Sequence, residues 1–366
     1  MPNATKLLEQ LDRLDPPDLW SEASSRTPGA PPPPPPSRAG RVISGVVAGV
    51  AAAVALTLVI RAFSDVGQTR LPGSTHGNGK LAVVREGCTV FPCHAPGRLL
   101  LMNADGTDER EIAVGSMPAW SPDGSHLTFT TGGADAIRVV DQDGANLTTV
   151  VRCEEPDCVA VMEPTWSPDG GRMAYSAERE VDGQHEHDIW VVNADGTDSH
   201  PVTECRRPDC VSNFAPAWSP VDDRIAMWSM IWCGDAWGPS LRMLNLDNGN
   251  VTPVVPCGKW SEGARIAWSP DGQSLAFELN TPDHTANVFT EPASGGPRTQ
   301  VSSCDGTDCR WALYPSWSPD GRWLLFAVKS QAEDTFDIAR ARPDGSELSR
   351  VGIEGNMTAW QPVLSR

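Results

Sequence analysis

Apolar and polar residues alternate along much of the chain in short runs, the period of a half-buried strand. The clear case is His126-Leu127-Thr128-Phe129; its more apolar counterparts are Arg172-Met173-Ala174-Tyr175, Ser274-Leu275-Ala276-Phe277 and Trp323-Leu324-Leu325-Phe326. Each run follows one five-residue string, WSPDG, beginning at Trp120, Trp166, Trp268 and Trp317. A worn copy, WSPVD, begins at Trp218, and a stump, WQP, sits at Trp360. Proline fixes its own φ and suits a turn, while Asp-Gly supplies a positive-φ corner. The string therefore predicts strand, tight turn, strand. Its tryptophan is expected to be a wedge that buries apolar area between neighbouring sheets. A ligand-stacking ladder is the other reading of these tryptophans.

A second apolar run keeps step with the first and ends in an Asn, Asp or Gly corner. Its copies are Leu99–Gly106, Ile137–Gly144, Ile189–Gly196, Leu241–Gly249, a degraded Val288–Gly296, and Ile338–Gly345. A short strand follows each one, as at Glu111–Val114 and His200–Thr203. Tryptophans 46, 52, 50, 49 and 43 residues apart, with four strands per step, predict an all-β chain of propeller blades. The expected fold is a six-bladed β-propeller of four-stranded antiparallel blades. The two halves of the repeat run out of phase, because Leu99 is preceded by Gly79–Val84 without a WSPDG string. Met357–Trp360, left over at the other end, is therefore expected to be the innermost strand of the first blade.

The strings PAWSPDG, PTWSPDG and PSWSPDG, each leading into a strand, together with IWVVNADGTD, resemble the TolB-like, WD-repeat-like six-bladed propellers of bacteria. The resemblance runs from Gly79 to the C-terminus and implies the fold. It leaves function open, since such blades serve interaction proteins, peptidases and carbohydrate-active proteins alike.

The segment before Gly79 has another character. Residues 1–41 hold Leu7, Leu8, Leu11 and Leu14 on one helical face, then Asp18-Leu19-Trp20, then six prolines, Pro31–Pro36. They read as a cytoplasmic tail with a stiff spacer, and the tail could dock or relay to a partner. Val42–Ile60 carries no charge and is flanked by Arg41 and Arg61, so residues 42–61 are expected to form one transmembrane helix. Gly45, Gly49 and Ala53 form a small-residue face on which such helices can pair as a homodimer. Residues 62–78 read as a linker and 79–366 as the propeller.

All ten cysteines follow the apolar span. Four pairs repeat the spacing C-x4-C: Cys88 with Cys93, Cys153 with Cys158, Cys205 with Cys210 and Cys304 with Cys309; Cys233 and Cys257 remain. An even number in repeated pairs predicts disulfides in an oxidising, extracytoplasmic compartment. The strand order places all ten opposite the WSPDG turns, beside the long loops that carry Trp232, Trp237, Trp260 and Trp311.

From Ala62 onward 42 acids face 23 bases, which argues against nucleic acid or anionic lipid as a partner. No G-x-S-x-G or H-E-x-x-H string occurs, and no catalytic residue or cofactor is assigned. His185, His187 and Asp188, expected in a loop, are the one dense group of metal-ligand types, and a polar hairpin tip is their ordinary reading. The leading expectation is a non-enzymatic, membrane-anchored propeller binding a protein or envelope ligand on its cysteine-bearing face. A carbohydrate-active or metal-dependent enzyme, and a transmembrane sensor relaying through the tail, stay open.

Overall fold

The computed structural model describes residues 79–86, 97–154, 158–181, 183–206, 210–258, 265–280, 285–306, 309–329 and 335–362. Every described strand lies within Phe63–Arg366. The tail, the proline spacer and the apolar span lie outside the described residues. Cys88 and Cys93, expected to form a disulfide with each other, lie outside them too. Among the described residues no helix is long and apolar enough to cross a membrane.

The described residues form strands and turns throughout. In chain order the strands begin with β1 (Lys80–Arg85), β2 (Arg98–Asn103) and β3 (Arg110–Val114). Next come β4 (Ser116–Trp120), β5 (His126–Thr130), β6 (Ala136–Asp141) and β7 (Thr148–Arg152). Then follow β8 (Ala160–Trp166), β9 (Arg172–Val181), β10 (Gln184–Asn193) and β11 (His200–Pro201). The middle of the chain gives β12 (Cys210–Trp218), β13 (Arg224–Trp232), β14 (Trp237–Asn245) and β15 (Val251–Val255). After it lie β16 (Ile266–Trp268), β17 (Ser274–Asn280), β18 (Ala286–Pro292) and β19 (Thr299–Gln300). The last are β20 (Trp311–Trp317), β21 (Leu324–Lys329), β22 (Asp337–Ala341), β23 (Ser349–Glu354) and β24 (Met357–Trp360).

Two of the sheets have four strands, ordered β24-β1-β2-β3 and β4-β5-β6-β7. The other two have eight strands each, and each divides into two antiparallel runs of four. A single parallel pair joins the runs, His187 to Ser212 in one sheet and Ala286 to Trp311 in the other. The strands that end in the repeated tryptophans touch one another in the order β4, β8, β12, β16, β20, β24, and β24 returns to β4. These six inner strands thus form a closed circuit.

The C-terminal strand is where the out-of-phase repeat places it. β24 runs antiparallel to β1, with Leu81 opposite Trp360 and Val84 opposite Met357. The bond from Gln361 N to Lys80 O, at 2.8 Å, extends the pairing. Leu81, Ala82, Val83, Met357 and Trp360 are buried in the largest apolar cluster, which gathers residues from both ends of the strand-bearing region.

The tryptophans act as wedges with a polar handle. Trp120 Nε1 donates to Ala359 O (3.1 Å) and Trp166 Nε1 to Ala119 O (3.3 Å). Trp268 Nε1 donates to Ala217 O (2.8 Å) and Trp317 Nε1 to Ala267 O (3.2 Å). In each case the acceptor is the residue just before the preceding repeat's tryptophan. The bond fails for Trp218 and Trp360, whose buried nitrogens have no hydrogen-bond partner. There the preceding repeat carries Thr165 or Ser316 instead of alanine, and Trp218 N bonds to Thr165 Oγ1 at 3.3 Å.

The WSPDG turns are built alike. Ser121, Ser167, Ser269 and Ser318 each donate Oγ–H to the Asp two residues on, at 2.6 Å. Each Asp also accepts a backbone N–H from the far side of the corner. The four glycines take φ of 66° to 69°, a conformation open to Gly at no steric cost.

Candidate functional site

The four-copy bulge is the first element of the site. In β4, β8, β12 and β20 the ladder breaks three residues before the tryptophan. The residues at the break, Met117, Glu163, Ala215 and Tyr314, have φ between 52° and 59°. A proline follows each, and a proline cannot donate to the ladder. Left-handed backbone at non-glycine residues costs energy and marks positions held for a reason. The equivalent residues in the other two copies are Arg265, just ahead of β16, and Met357, at the start of β24.

Three of these six positions carry ionisable side chains, and they converge. Glu163 Oε2 accepts from Ala215 N (2.6 Å) and Ser176 Oγ (2.7 Å), linking β8 to β9 and β12. Arg265 N donates to Glu278 Oε1 in β17 at 3.0 Å. Arg265 Nη2 donates to Pro118 O in β4 at 2.6 Å. β4 and β16 stand three steps apart in either direction around the circuit, so this guanidinium crosses the axis. Its Nη1 is buried without a hydrogen-bond partner.

Glu163 and Arg265 are half-buried, and Glu278 is fully buried. Burial pushes the Glu163 carboxyl above the ordinary carboxylate value, against the bonds from Ser176 and Ala215 and the charge of Arg265. Burial, reinforced by the charges of Glu278 and Glu163, pushes the Tyr314 phenol up. Burial lowers Arg265, and the two carboxylates oppose it. The arrangement can hold a charged network across the axis and keep one acid readier to take a proton.

The second element is the end of the strands opposite the WSPDG turns. Cys153–Cys158, Cys205–Cys210 and Cys304–Cys309 are disulfides there, with Cα separations of 5.2, 5.2 and 4.6 Å. Cys233–Cys257 joins the β13–β14 turn to the segment after β15, at 5.7 Å. The remaining expected bridge, from Cys88 to Cys93, differs from these four: neither Cys88 nor Cys93 is among the described residues. Beside the Cys233–Cys257 bridge Trp232 and Trp237 pair across the hairpin edge to face, centroids 5.4 Å apart. They remain 48% and 38% exposed, which is uncommon for so large an apolar group. Trp311 is partly buried under Arg310 and Lys329. Trp260 lies outside the described residues.

His185, His187 and Asp188 sit on strand β10 and not in a loop, because the β9–β10 hairpin runs ten residues on each side. The strand alternation separates them. Asp188 turns inward and accepts from Thr203 Oγ1 (2.6 Å), Cys205 N (2.9 Å) and Asn213 Nδ2 (3.3 Å). Burial raises its pKa against those bonds. The two histidines face Glu178 on the neighbouring strand. Cys210 begins β12.

A cleft of about 720 Å³ opens between the turns of β4–β5 and β8–β9, lined by Asp123, His126, Asp141, Trp166 and Asp169. Its acids serve their own turns: the Ser121 hydroxyl, then Ser125 N, hold Asp123 down to about 2.

The sequence reading missed Glu163, Arg265, Glu278 and Tyr314. Aligning the copies on their tryptophans isolates three of them, since one fixed position reads Met, Glu, Ala, Arg, Tyr, Met.

No family model matches the chain. An uncharacterised protein of Agrobacterium fabrum is 31% identical over 84 residues, 23% of this chain and 26% of that protein. The chain thus spans about a quarter of that relative's length. Among solved structures, TolB from Acinetobacter baumannii superposes with a TM-score of 0.60 at 18% identity, covering 88% of this chain and 74% of its own. A nidogen/laminin complex contains a chain matching with a TM-score of 0.58 at 11% identity, covering 77% and 98%. The fold is that of a TolB-like β-propeller. A putative TolB from Agrobacterium tumefaciens agrees, with a TM-score of 0.53 at 15% identity over 68% of this propeller-bearing chain and 86% of its own. At these identities the likeness carries the fold alone.

Proposed function

We propose that this protein is a membrane-anchored, extracytoplasmic six-bladed propeller whose cysteine-bearing end binds a protein ligand in the cell envelope. The observation that carries the reading is the exposed Trp232–Trp237 pair on a hairpin tied down by Cys233–Cys257. Tryptophan supplies a large, rigid contact with one polar atom, and a surface pair held in place before binding loses little entropy on contact. The six inner strands in a closed circuit support six blades. Disulfides confined to the part after the apolar span support an oxidising compartment outside the cytoplasm. TolB-like structures, and a neighbour solved in a complex with another protein, support a binding role.

An enzyme acting at the ring axis is the second reading, and the Glu163, Glu278, Arg265 and Tyr314 group favours it. Arg265 crossing to Pro118 weighs against it, because it narrows the space a substrate would need.

The test is quantitative capture. Full-length protein and the Trp232→Ala/Trp237→Ala variant are crosslinked in cells, and co-purified envelope proteins are quantified by mass spectrometry. The reading expects at least a tenfold loss of specific partners with an unchanged melting temperature. Equal capture by the variant would overturn it.

A further inference from the structure

The β9–β10 hairpin outruns its counterparts. Its strands have ten residues each, where β5 and β6 have five and six. The other long hairpin, β13–β14, has nine on each side and is stapled by Cys233–Cys257. The β9–β10 extension has no cysteine. It carries Glu178-Arg179-Glu180 facing His185-Glu186-His187.

The register puts four ligand-type side chains on one face. His187 stands directly opposite Glu178, and His185 directly opposite Glu180. Residues two apart share a face, as do directly paired residues, whose Cβ atoms lie roughly 5 Å apart. The result is a two-by-two array of His-x-His against Glu-x-Glu. The side chains already converge: His185 Nδ1 is 2.7 Å and His187 Nε2 is 3.7 Å from the same oxygen, Glu178 Oε1. Asp188 lies on the opposite face and plays no part.

We propose that this face of the hairpin binds a divalent transition-metal cation, with Zn²⁺ the best match, through His185, His187 and Glu178, and with Glu180 completing the set. Two imidazoles and carboxylate oxygen are the ligands such ions take, at about 2 Å. Ca²⁺ and Mg²⁺ call for all-oxygen shells, so the two imidazoles select against them. A cation would also relieve the carboxylate pair on one strand. Among the described residues no three such side chains are placed to hold an ion as they stand, and the His185 ring is turned onto Glu178. The ring is exposed at 58%, so the rotation that frees its nitrogen for metal meets little packing. Bound metal would staple this hairpin as the disulfide staples the other.

The experiment is isothermal titration of full-length, detergent-solubilised protein with zinc sulfate, with Co²⁺ absorption as a second readout. One ion per chain is expected. His185→Ala, His187→Ala and Glu178→Gln should each weaken it at least tenfold, Glu180→Gln severalfold, and His126→Ala not at all. Co²⁺ should give the visible bands of a low-coordinate nitrogen and oxygen site, absent in His187→Ala. Melting curves within a degree or two of the parent identify variants that remain folded, and Glu178→Gln, the most conservative change, serves if an alanine variant does not. No binding tighter than about 100 μM, or binding that persists in both folded histidine variants, would overturn the site.

Discussion

At one end of the strands the same turn is made four times; at the other, among the described residues, short disulfide-closed loops stand beside hairpins that differ in length and make-up. The WSPDG corners repeat a Ser–Asp bond of 2.6 Å and a positive-φ glycine from copy to copy. The opposite end has a stapled hairpin with exposed tryptophans, a long polar hairpin with histidines, and short disulfide-closed loops. Identity across copies is what a shared packing problem demands, since each blade must meet the next in the same way. Unlikeness across copies is free to serve something outside the ring. The inner strands contain both kinds of position: tryptophans that repeat, and three residues before each of them a position filled variously by Met, Glu, Ala, Arg and Tyr.

The comparison makes ranked predictions. Positions that build the ring should cost stability and leave capture intact, and positions at the varied end should do the reverse unless they brace it. The largest effect is expected on deleting Met357–Arg366. This removes the strand opposite β1 and the acceptor of the Trp120 indole, and should cost about 4 kcal/mol or more in denaturant unfolding. An unchanged midpoint would break the ring account.

Replacing Cys233 and Cys257 together with serine should come next. The bridge closes 24 residues, and loop-closure entropy puts its loss at about 3 kcal/mol. Because it braces the Trp232–Trp237 hairpin, capture should fall as well. Stability lost without capture would detach the tryptophan pair from function.

Glu163→Ala should cost about 2 kcal/mol, because Ala215 N and Ser176 lose their acceptor. It should also change the pH profile in a set direction. A carboxyl raised by burial binds its proton more tightly in the folded state, so folding weakens as pH rises through 4.5 toward the folded value. That part of the profile should vanish in the variant, and its persistence would place the raised group elsewhere.

The smallest effect belongs to a single copy of the turn. Asp271→Asn should cost about 1 kcal/mol by weakening the bonds from Ser269 and Gln273 N. Asp271 is depressed chiefly by the Ser269 hydroxyl, so its contribution is complete above the ordinary 3.8 and is lost as pH falls through the lower folded value. Chemical denaturation from pH 6 to 2 checks both.

How much was legible followed from the same division. Trp120, Trp166, Trp268 and Trp317 announce strand, turn and period, because packing and turn chemistry act over a few neighbouring residues. The pairing of β24 with β1 followed from counting unmatched halves of the repeat. The axial group was not read, because Arg265 meets Pro118 across 147 residues and Glu163 meets Ala215 across 52. His185 and His187 were seen as a cluster, but with Asp188 as companion. Only the β10 register exchanges that partner for Glu178.

The measurement that tests the central claim most directly is in-cell photo-crosslinking with one probe placed at opposite ends of a single strand. Asp235 and Asp247 lie just before and just after β14, at the varied end and the turn end respectively. The account predicts a discrete crosslinked protein species from position 235 and none from position 247. Crosslinks from 247 alone, or equal crosslinks from both, would contradict it.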